Sequence, residues 1–200
     1  MRHIVCTTGT SIARKVVPYG GVGDRARFVA DIRSRCTGAK IENRATFRKE
    51  ASAEINSLDR LRVTAADHVV LLSSETDDGE ICAAEIARIL DGEFGIAAES
   101  MQVQGLQVKD AVRFRREGVQ SLFACLDKIR MNAEESDEIL LNITGGFKSV
   151  VPYVTLYGML RRQRVVYLFE GSDQLIFLPP APLSKVTAPR QFDSLQFGSG

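Results

Sequence analysis

Histidine and cysteine are scarce in this sequence, and their scarcity limits the chemistry available to the chain. Among 200 residues there are two histidines, His3 and His68, and four cysteines. Both histidines open predicted strands, so a histidine-based zinc site or a Ser-His-Asp triad lacks the residues it would need. The cysteines lie at least 30 positions apart without a C-x-x-C pair, which predicts buried, reduced thiols of a cytoplasmic protein.

Long apolar runs and a net charge of one sign are also missing. No run of about 18 apolar residues is present, which argues against a membrane-spanning helix. The first residues lack the hydrophobic stretch and cleavage site of a signal peptide. Lys and Arg number 26 against 25 Asp and Glu, and a net charge of +1 argues against holding long nucleic acid by charge alone. We therefore expect a cytoplasmic protein with neither a membrane nor long nucleic acid as its partner.

The charges are unevenly distributed although they nearly cancel. Residues 1–66 carry 13 basic and 6 acidic side chains, whereas residues 67–100 carry 1 and 9. Nineteen of the 26 basic residues are arginine, which favours bidentate contact with phosphate or carboxylate. Solvated helix faces are the alternative interpretation for most of these arginines.

The hydrophobic pattern predicts an α/β fold. A chain of this length with 44% hydrophobic residues is expected to form one compact domain. Short runs rich in Val, Ile and Leu alternate with longer segments of helical period, which is typical of a mostly parallel sheet. The predicted strands are 2–8, 68–73, 96–102, 138–143, 164–169 and 174–178. The predicted helices are 24–35, 46–61, 79–90, 109–131 and 148–162.

The end of the sequence differs from the rest. Only residues 170–173 separate the last two predicted strands, too few for a crossover, so we expect an antiparallel hairpin at the edge of the sheet. Prolines then become frequent, and proline neither donates to a sheet nor continues a helix. We expect a domain over residues 1–180 and a tail over 181–200, either a linker or an artificial scar.

The first candidate binding segment follows the opening strand. Ligands of open α/β sheets gather beyond the carboxyl ends of the strands, so the residues after each strand are the informative ones. Gly9, Thr10 and Ser11 form a run in which a glycine lets backbone N–H groups approach an anion and hydroxyls lie beside it. An N-cap for the following helix is the alternative interpretation.

The second candidate segment follows the strand predicted at 138–143. Gly145 and Gly146 permit a sharp turn from strand to helix, where free N–H groups and the helix dipole favour an anion. Lys148 adds a positive charge in a position that is unfavourable for helix stability alone, which indicates a functional role. We therefore predict phosphate binding by this segment, against the alternative of a plain connecting turn. The remaining members of the predicted ligand-binding set here are Asn142, Thr144 and Phe147.

Other nucleotide-binding motifs fit the sequence less well. A P-loop needs glycine before the lysine, where this chain has Phe147, so a Walker-type hydrolase is disfavoured. Residues 21–26 match G-x-G-x-x-A, but about a dozen residues separate them from the first strand, which weakens the case for NAD. An acidic cluster after the second strand is best explained as helix capping, with Mg²⁺ or ribose binding as the alternative. Its members are Glu75, Asp77, Asp78 and Glu80.

The two candidate segments together resemble a known family. An opening strand that ends in Gly-Thr-Ser, and a late strand followed by Thr-Gly-Gly-Phe-Lys and an apolar helix, are similar to the CARF domains of type III CRISPR systems. The resemblance extends over about the first 180 residues in element order and is closest to CARF-only ring nucleases and the sensor halves of CARF ribonucleases. It implies a Rossmann-like homodimer, with helices on both faces of the sheet, that binds cyclic oligoadenylate, most often the four-adenosine ring, across its two-fold axis.

The resemblance also implies which residues act and how. The loop serine corresponds to Ser11 and the glycine-lysine motif to Gly145, Gly146 and Lys148. A ribose 2′-OH lies beside each phosphorus of the ring and can act as the nucleophile. Cleavage therefore needs no protein nucleophile, no metal and no cofactor. We expect Lys148 and Ser11 to be catalytic, with Lys148 neutralising the phosphate and Ser11 positioning either the 2′-OH or a phosphate oxygen.

Two functions remain open from the sequence. A ring nuclease would produce linear adenylates ending in 2′,3′-cyclic phosphate and so switch off the CRISPR signal. A sensor domain would bind the ring without cutting it and control an effector nuclease or other output domain. Tyr19 and Arg14, together with Phe147, are predicted lid or stacking positions near the ligand.

Overall fold

The structure, a computed structural model, describes residues 1–14, 16, 18–36, 43–106 and 109–178. Within these residues the chain forms a six-stranded sheet in the order β3-β2-β1-β4-β5-β6. The strands are β1 Arg2–Thr7, β2 Asp67–Ser73, β3 Ala97–Gln102, β4 Glu138–Asn142, β5 Arg164–Leu168 and β6 Leu175–Leu178. All neighbours are parallel except β5 and β6, which pair antiparallel. The predicted Rossmann-like α/β fold with a hairpin edge is therefore confirmed.

Helices connect the parallel strands. The six main helices among the described residues are α1 Arg25–Arg35, α2 Arg44–Glu50, α3 Ala53–Arg60, α4 Asp77–Phe94, α5 Val119–Asn132 and α6 Val151–Arg161. Short 3-10 turns at Ser11–Ala13, Val22–Asp24 and Lys148–Val150 lie before α1 and α6. None of the helices in the described part of the chain is long and apolar enough to cross a membrane.

The central strands of the sheet are buried on both faces because their alternate side chains pack against different helices. Ile4 of β1 and Val69 of β2 belong to a core that includes residues of α1, α3 and α4. Val5 and Val70, one position further along, belong to a second core with α5 and α6. The near-continuous apolar runs of the central strands follow from burial on both sides.

One predicted helix is in fact two. The prediction of a single helix over 46–61 is wrong, because α2 ends at Glu50 and α3 begins at Ala53. Ser52 has an extended backbone, and its hydroxyl accepts a hydrogen bond from the N–H of Ile55 at 3.1 Å, so it caps α3. The break turns the start of α3 toward the end of β1.

Two further helices begin differently from the prediction. Within the predicted helix 109–131, Phe114–Gly118 forms a π-helical turn between a short turn at Ala111–Arg113 and α5. The predicted helix 148–162 becomes α-helical only at Val151, with Pro152 in its first turn, where a missing N–H costs nothing. Lys148 therefore lies in the 3-10 turn that precedes α6.

The cysteines are free thiols. Cys6, Cys36 and Cys82 are buried and Cys125 is half-buried, and none of the four is in a disulfide. Burial raises the pKa of Cys82 to about 12, so its thiol is protonated at neutral pH. The predicted tail over 181–200 lies outside the described residues.

Candidate functional site

The two candidate segments meet at the carboxyl edge of the sheet. β1 and β4 are neighbours, and the connections leave them in opposite directions, from β1 to β2 on one side and from β4 to β5 on the other. Such a reversal is the place where open α/β sheets bind ligands. We call residues 8–11 the β1 loop and residues 143–148 the β4 loop.

Glycines let the β1 and β4 loops touch. A side chain at Gly9 would come within 3.1 Å of the backbone N of Gly146, and Gly146 itself has φ +93°, a conformation that favours glycine. The hydroxyl of Thr7 donates to the carbonyl of Gly145 at 2.5 Å, which joins the end of β1 to the β4 loop. The glycines thus serve close contact between the loops as well as the turn that the sequence predicted.

A buried carboxylate, Glu54, lies between the two loops. It belongs to the first turn of α3 and its side chain is 1% exposed. Its Oε1 accepts a hydrogen bond from the N–H of Gly9 at 2.9 Å, and its Oε2 accepts one from the Ser11 hydroxyl at 2.8 Å. A Cβ at Gly145 would collide with this carboxylate, so the β4 loop also needs a glycine where it faces Glu54. Glu54 was not among the predicted site residues.

Ser11 is held from two directions. Its hydroxyl donates to Glu54 and accepts from the N–H of Ala53 at 3.0 Å, at the start of α3. Ser11 is half-buried, whereas its neighbour Thr10 is exposed. The guanidinium of Arg35 donates to the carbonyl of Ile12 at 3.3 Å, and this bond fixes the turn that follows the β1 loop.

Asn142 and Thr144 organise the β4 loop from within. Asn142 is 1% exposed, and its amide nitrogen donates to the hydroxyl of Ser57 at 2.8 Å. Its amide oxygen accepts from the hydroxyl of Thr144 at 2.6 Å, and the same hydroxyl accepts from the N–H of Leu168 at 2.9 Å. These bonds tie the loop to α3 and β5, and direct contact of either residue with a ligand remains a prediction.

Phe147 is anchored by the π-helical turn. The ring of Phe114 lies 5.9 Å from that of Phe147 and 5.8 Å from that of Tyr153, edge to face in both cases. Edge-to-face pairs of this kind hold the relative orientation of their rings. Turns of π type are frequent at functional sites, and this one fixes the residue next to Lys148.

Lys148 and the N–H groups before it have no hydrogen-bond or ion-pair partner among the residues that the structure describes. The side chain of Lys148 is exposed, and no described residue forms a hydrogen bond or ion pair with its ammonium group. Among the described residues, the N–H groups of residues 145–147 likewise find no acceptor. One edge of the site therefore has a positive charge and N–H groups without an acceptor among the described residues, whereas the donors beside Glu54 are hydrogen-bonded.

A cleft opens beside the β1 loop. Its volume is about 420 Å³, within the range of small-molecule sites, and Thr10, Ser11, Arg14 and Tyr19 are in its lining. The Tyr19 ring lies 5.5 Å from that of Phe28, and the Tyr19 hydroxyl donates to Asp77 at 3.1 Å. The cleft brings the predicted stacking residues Arg14 and Tyr19 next to Ser11.

The acidic cluster does not converge on one point. Thr76 caps α4 by accepting from the N–H of Gly79 at 3.2 Å, and Asp78 accepts from the same N–H at 3.0 Å. Glu75 pairs with Arg113 at 3.0 Å and Glu80 with Arg25 at 3.1 Å. Among the described residues, no three His, Cys, Asp or Glu side chains come together as metal ligands would.

The chain matches the model of a known protein family. The model of a family described as CRISPR-associated protein (Cas_APE2256) matches residues 49–181, which is more than half of the chain. The matched segment begins before α3 and contains Glu54 and the whole β4 loop.

Proposed function

The chain belongs to the CRISPR-associated family Cas_APE2256, and we propose that it is a CARF-type ring nuclease. It binds cyclic oligoadenylate, with the four-adenosine ring as the expected ligand, and cleaves it without a metal to linear adenylates. The observation that carries this proposal is the contact between the β1 and β4 loops at the reversal of the sheet. There Lys148 and the N–H groups of residues 145–147 are unengaged by the described residues.

The ring's phosphate fits the β4 loop. A phosphodiester carries one negative charge and only accepts hydrogen bonds, so it matches N–H donors and an ammonium group that find no partner within the described part of the chain. The first turn of α6 adds the positive end of a helix dipole. Phe147, fixed by Phe114, keeps these donors in one orientation and lowers the entropic cost of binding.

The reaction is an intramolecular transfer. The ribose 2′-oxygen attacks the adjacent phosphorus, a P–O2′ bond forms, and the bond from phosphorus to the 5′-oxygen of the next nucleotide breaks. Solvent water takes the proton of the 2′-OH and supplies one to the leaving 5′-oxygen, so atoms and charge balance and the product carries a 2′,3′-cyclic phosphate. Lys148 and the N–H groups stabilise the charge that develops on the phosphate oxygens in the transition state.

The ring's symmetry supports a homodimer. A two-fold dimer presents the same patch twice, and a ring with equivalent halves can contact both copies in the same way.

The cleft of about 420 Å³ beside Ser11 offers Tyr19 and Arg14 as surfaces for an adenine base. Cleavage of the ring removes the messenger of type III CRISPR signalling.

The test is incubation with cyclic tetra-adenylate in EDTA, followed by chromatography of the products. We expect the wild type to produce linear adenylates ending in 2′,3′-cyclic phosphate. Binding without conversion would favour the alternative, a sensor domain that controls an effector. Absence of binding would exclude both functions.

A further inference from the structure

The hydroxyl of Ser11 has its hydrogen already engaged. A hydroxyl has one hydrogen to donate and two lone pairs to accept with. Ser11 donates to the Glu54 carboxylate at 2.8 Å, since an ionised carboxylate only accepts, and it accepts from the N–H of Ala53 at 3.0 Å. One lone pair is left, so an additional partner of Ser11 must be a donor.

Resting on the proposed function, we propose that Glu54 sets the polarity of Ser11 and thereby determines which part of the ring Ser11 meets. With its hydrogen turned toward Glu54, Ser11 accepts a hydrogen bond from a ribose 2′-OH and does not donate to a phosphate oxygen. Phosphodiester oxygens only accept, whereas the 2′-OH both donates and accepts. The negative charge of Glu54 also repels a phosphate at this position.

Glu54 is built into this place by three features of the fold. Its position in the first turn of α3 puts the carboxylate at the positive end of a helix dipole. The N–H of Gly9 binds its other oxygen at 2.9 Å, and Gly145 leaves the space that it occupies. Glu54 does not touch the ring in this arrangement, so it is a positioning residue that acts through Ser11.

The substitution Glu54→Gln reverses the polarity with almost no change of shape. The N–H of Gly9 cannot rotate, so the amide oxygen of the new side chain faces Gly9 and its NH₂ group faces Ser11. The Ser11 hydroxyl then accepts from that NH₂ group and from Ala53, and its own hydrogen turns outward. Ser11 becomes a donor to the ligand instead of an acceptor.

Two uncleavable rings distinguish the polarities. A cyclic tetra-adenylate with 2′-amino groups keeps a donor at each 2′ position, whereas a 2′-fluoro ring lacks one. The ratio of their Kd values is measured by calorimetry above pH 8, where the amine is neutral, for wild type, Glu54→Gln and Ser11→Ala. Because the two rings differ in sugar pucker in the same way for every variant, only the change of the ratio between variants is interpreted.

We expect the wild type to favour the amino ring over the fluoro ring, relative to Ser11→Ala, by about three- to ten-fold for each hydrogen bond. Glu54→Gln should lose that preference or reverse it. Denaturant unfolding shows whether Glu54→Gln folds, and the comparison of wild type with Ser11→Ala decides the polarity of Ser11 without it. Equal ratios in wild type and Ser11→Ala would overturn the inference while leaving the proposed function intact. Failure of the wild type to bind cyclic tetra-adenylate or either analogue would overturn both.

Discussion

The β1 and β4 loops lie side by side but differ in whether their hydrogen-bond donors find partners among the described residues. In the β1 loop, the N–H of Gly9 and the hydroxyl of Ser11 both bond to Glu54 inside the protein. In the β4 loop, the N–H groups of residues 145–147 and the ammonium of Lys148 have no acceptor among the described residues. Proximity to the sheet edge is common to both loops, so it does not by itself mark an anion site. The proposal of an anion site at the β4 loop depends instead on donors that have no acceptor among the described residues.

This difference in donor pairing supports separate roles for the two loops under the proposed function. A buried carboxylate next to the β1 loop stabilises the loop and opposes a second negative charge there. The β4 loop carries an exposed ammonium group and backbone N–H groups that have no acceptor among the described residues, and a bound anion would give them charge-assisted partners. Under the proposed function, we therefore expect phosphate binding at the β4 loop and ribose recognition at the β1 loop.

The strongest way to break this comparison is Lys148→Ala. Removal of the one cation of the β4 loop should reduce single-turnover cleavage of cyclic tetra-adenylate by roughly 10²–10³-fold, as for the loss of a transition-state donor. Lys128→Ala is the matched control, because Lys128 is also exposed but lies on α5. Equal rates in Lys148→Ala and Lys128→Ala would show that the β4 loop does not stabilise the reacting phosphate.

The second prediction concerns the space between the loops. In Gly145→Ala the new methyl group collides with the carboxylate of Glu54 and displaces it from Gly9 and Ser11. The free energy of unfolding should fall by about 3 kcal/mol, from overpacking and the lost charge-assisted hydrogen bonds. Gly92→Ala serves as the control in denaturant unfolding. No atom of the described residues lies within 4 Å of a Cβ at Gly92 in α4, so this substitution should raise the free energy of unfolding by about 0.5–1 kcal/mol. Unchanged stability of Gly145→Ala would contradict the tight contact at Glu54.

The third prediction sharpens the description of the β4 loop. Phe114→Leu removes the edge-to-face contacts that hold Phe147, which are worth about 1 kcal/mol for each aromatic pair. Cleavage should slow by about fivefold if that energy orients the loop in the transition state. Phe123→Leu loses a similar contact, with Tyr157 at 5.6 Å, and should lower stability without slowing cleavage. Equal cleavage rates for the two variants would show that the π-helical turn does not orient the β4 loop for the reaction.

The smallest expected effect concerns a second buried glutamate, Glu85. Its carboxylate is hydrogen-bonded by cationic side chains, whereas the carboxylate of Glu54 is hydrogen-bonded by neutral donors. Burial alone would raise the pKa of Glu85, but hydrogen bonds from Arg33 and Arg88 outweigh it and keep the pKa below its ordinary value of 4.5. Its stabilisation is therefore complete above pH 4.5 and is lost as the pH falls through the lowered pKa.

Glu85→Gln should cost about 1 kcal/mol at pH 7, because solvent screens the half-exposed Arg33. Unfolding by urea between pH 7 and pH 3 checks this value. The difference between wild type and variant should shrink below pH 4.5, and a difference that grows toward acid would contradict the assigned sign.

Local patterns were sufficient to predict the sheet but not the interior of the site. The apolar runs and the short link at 170–173 predicted all six described strands to within two residues at each end, including the antiparallel hairpin. The same reasoning located both loops, because it depends only on which residues follow a strand. The prediction of one helix over 46–61 failed because Ser52 caps a new helix at this point. The direction of that helix depends on a tertiary hydrogen bond from the N–H of Ala53 to the Ser11 hydroxyl.

Glu54 was missed for a similar reason. An acidic residue two positions after Ser52 is typical of a helix N-terminus, and this signal was visible in the sequence. Its contacts with Gly9 and Ser11 join residues more than 40 positions apart, and no local pattern encodes such a pairing. The π-helical turn at Phe114–Gly118 was also unforeseen.

The most direct test of the division between the loops is a crystal structure of the wild type with the 2′-amino ring. We predict a phosphate within hydrogen-bond distance of the N–H groups of residues 145–147, near the ammonium of Lys148, and a ribose 2′-nitrogen beside the Ser11 hydroxyl. A phosphate seated against Ser11 and Glu54, or a ring bound away from both loops, would contradict the assignment.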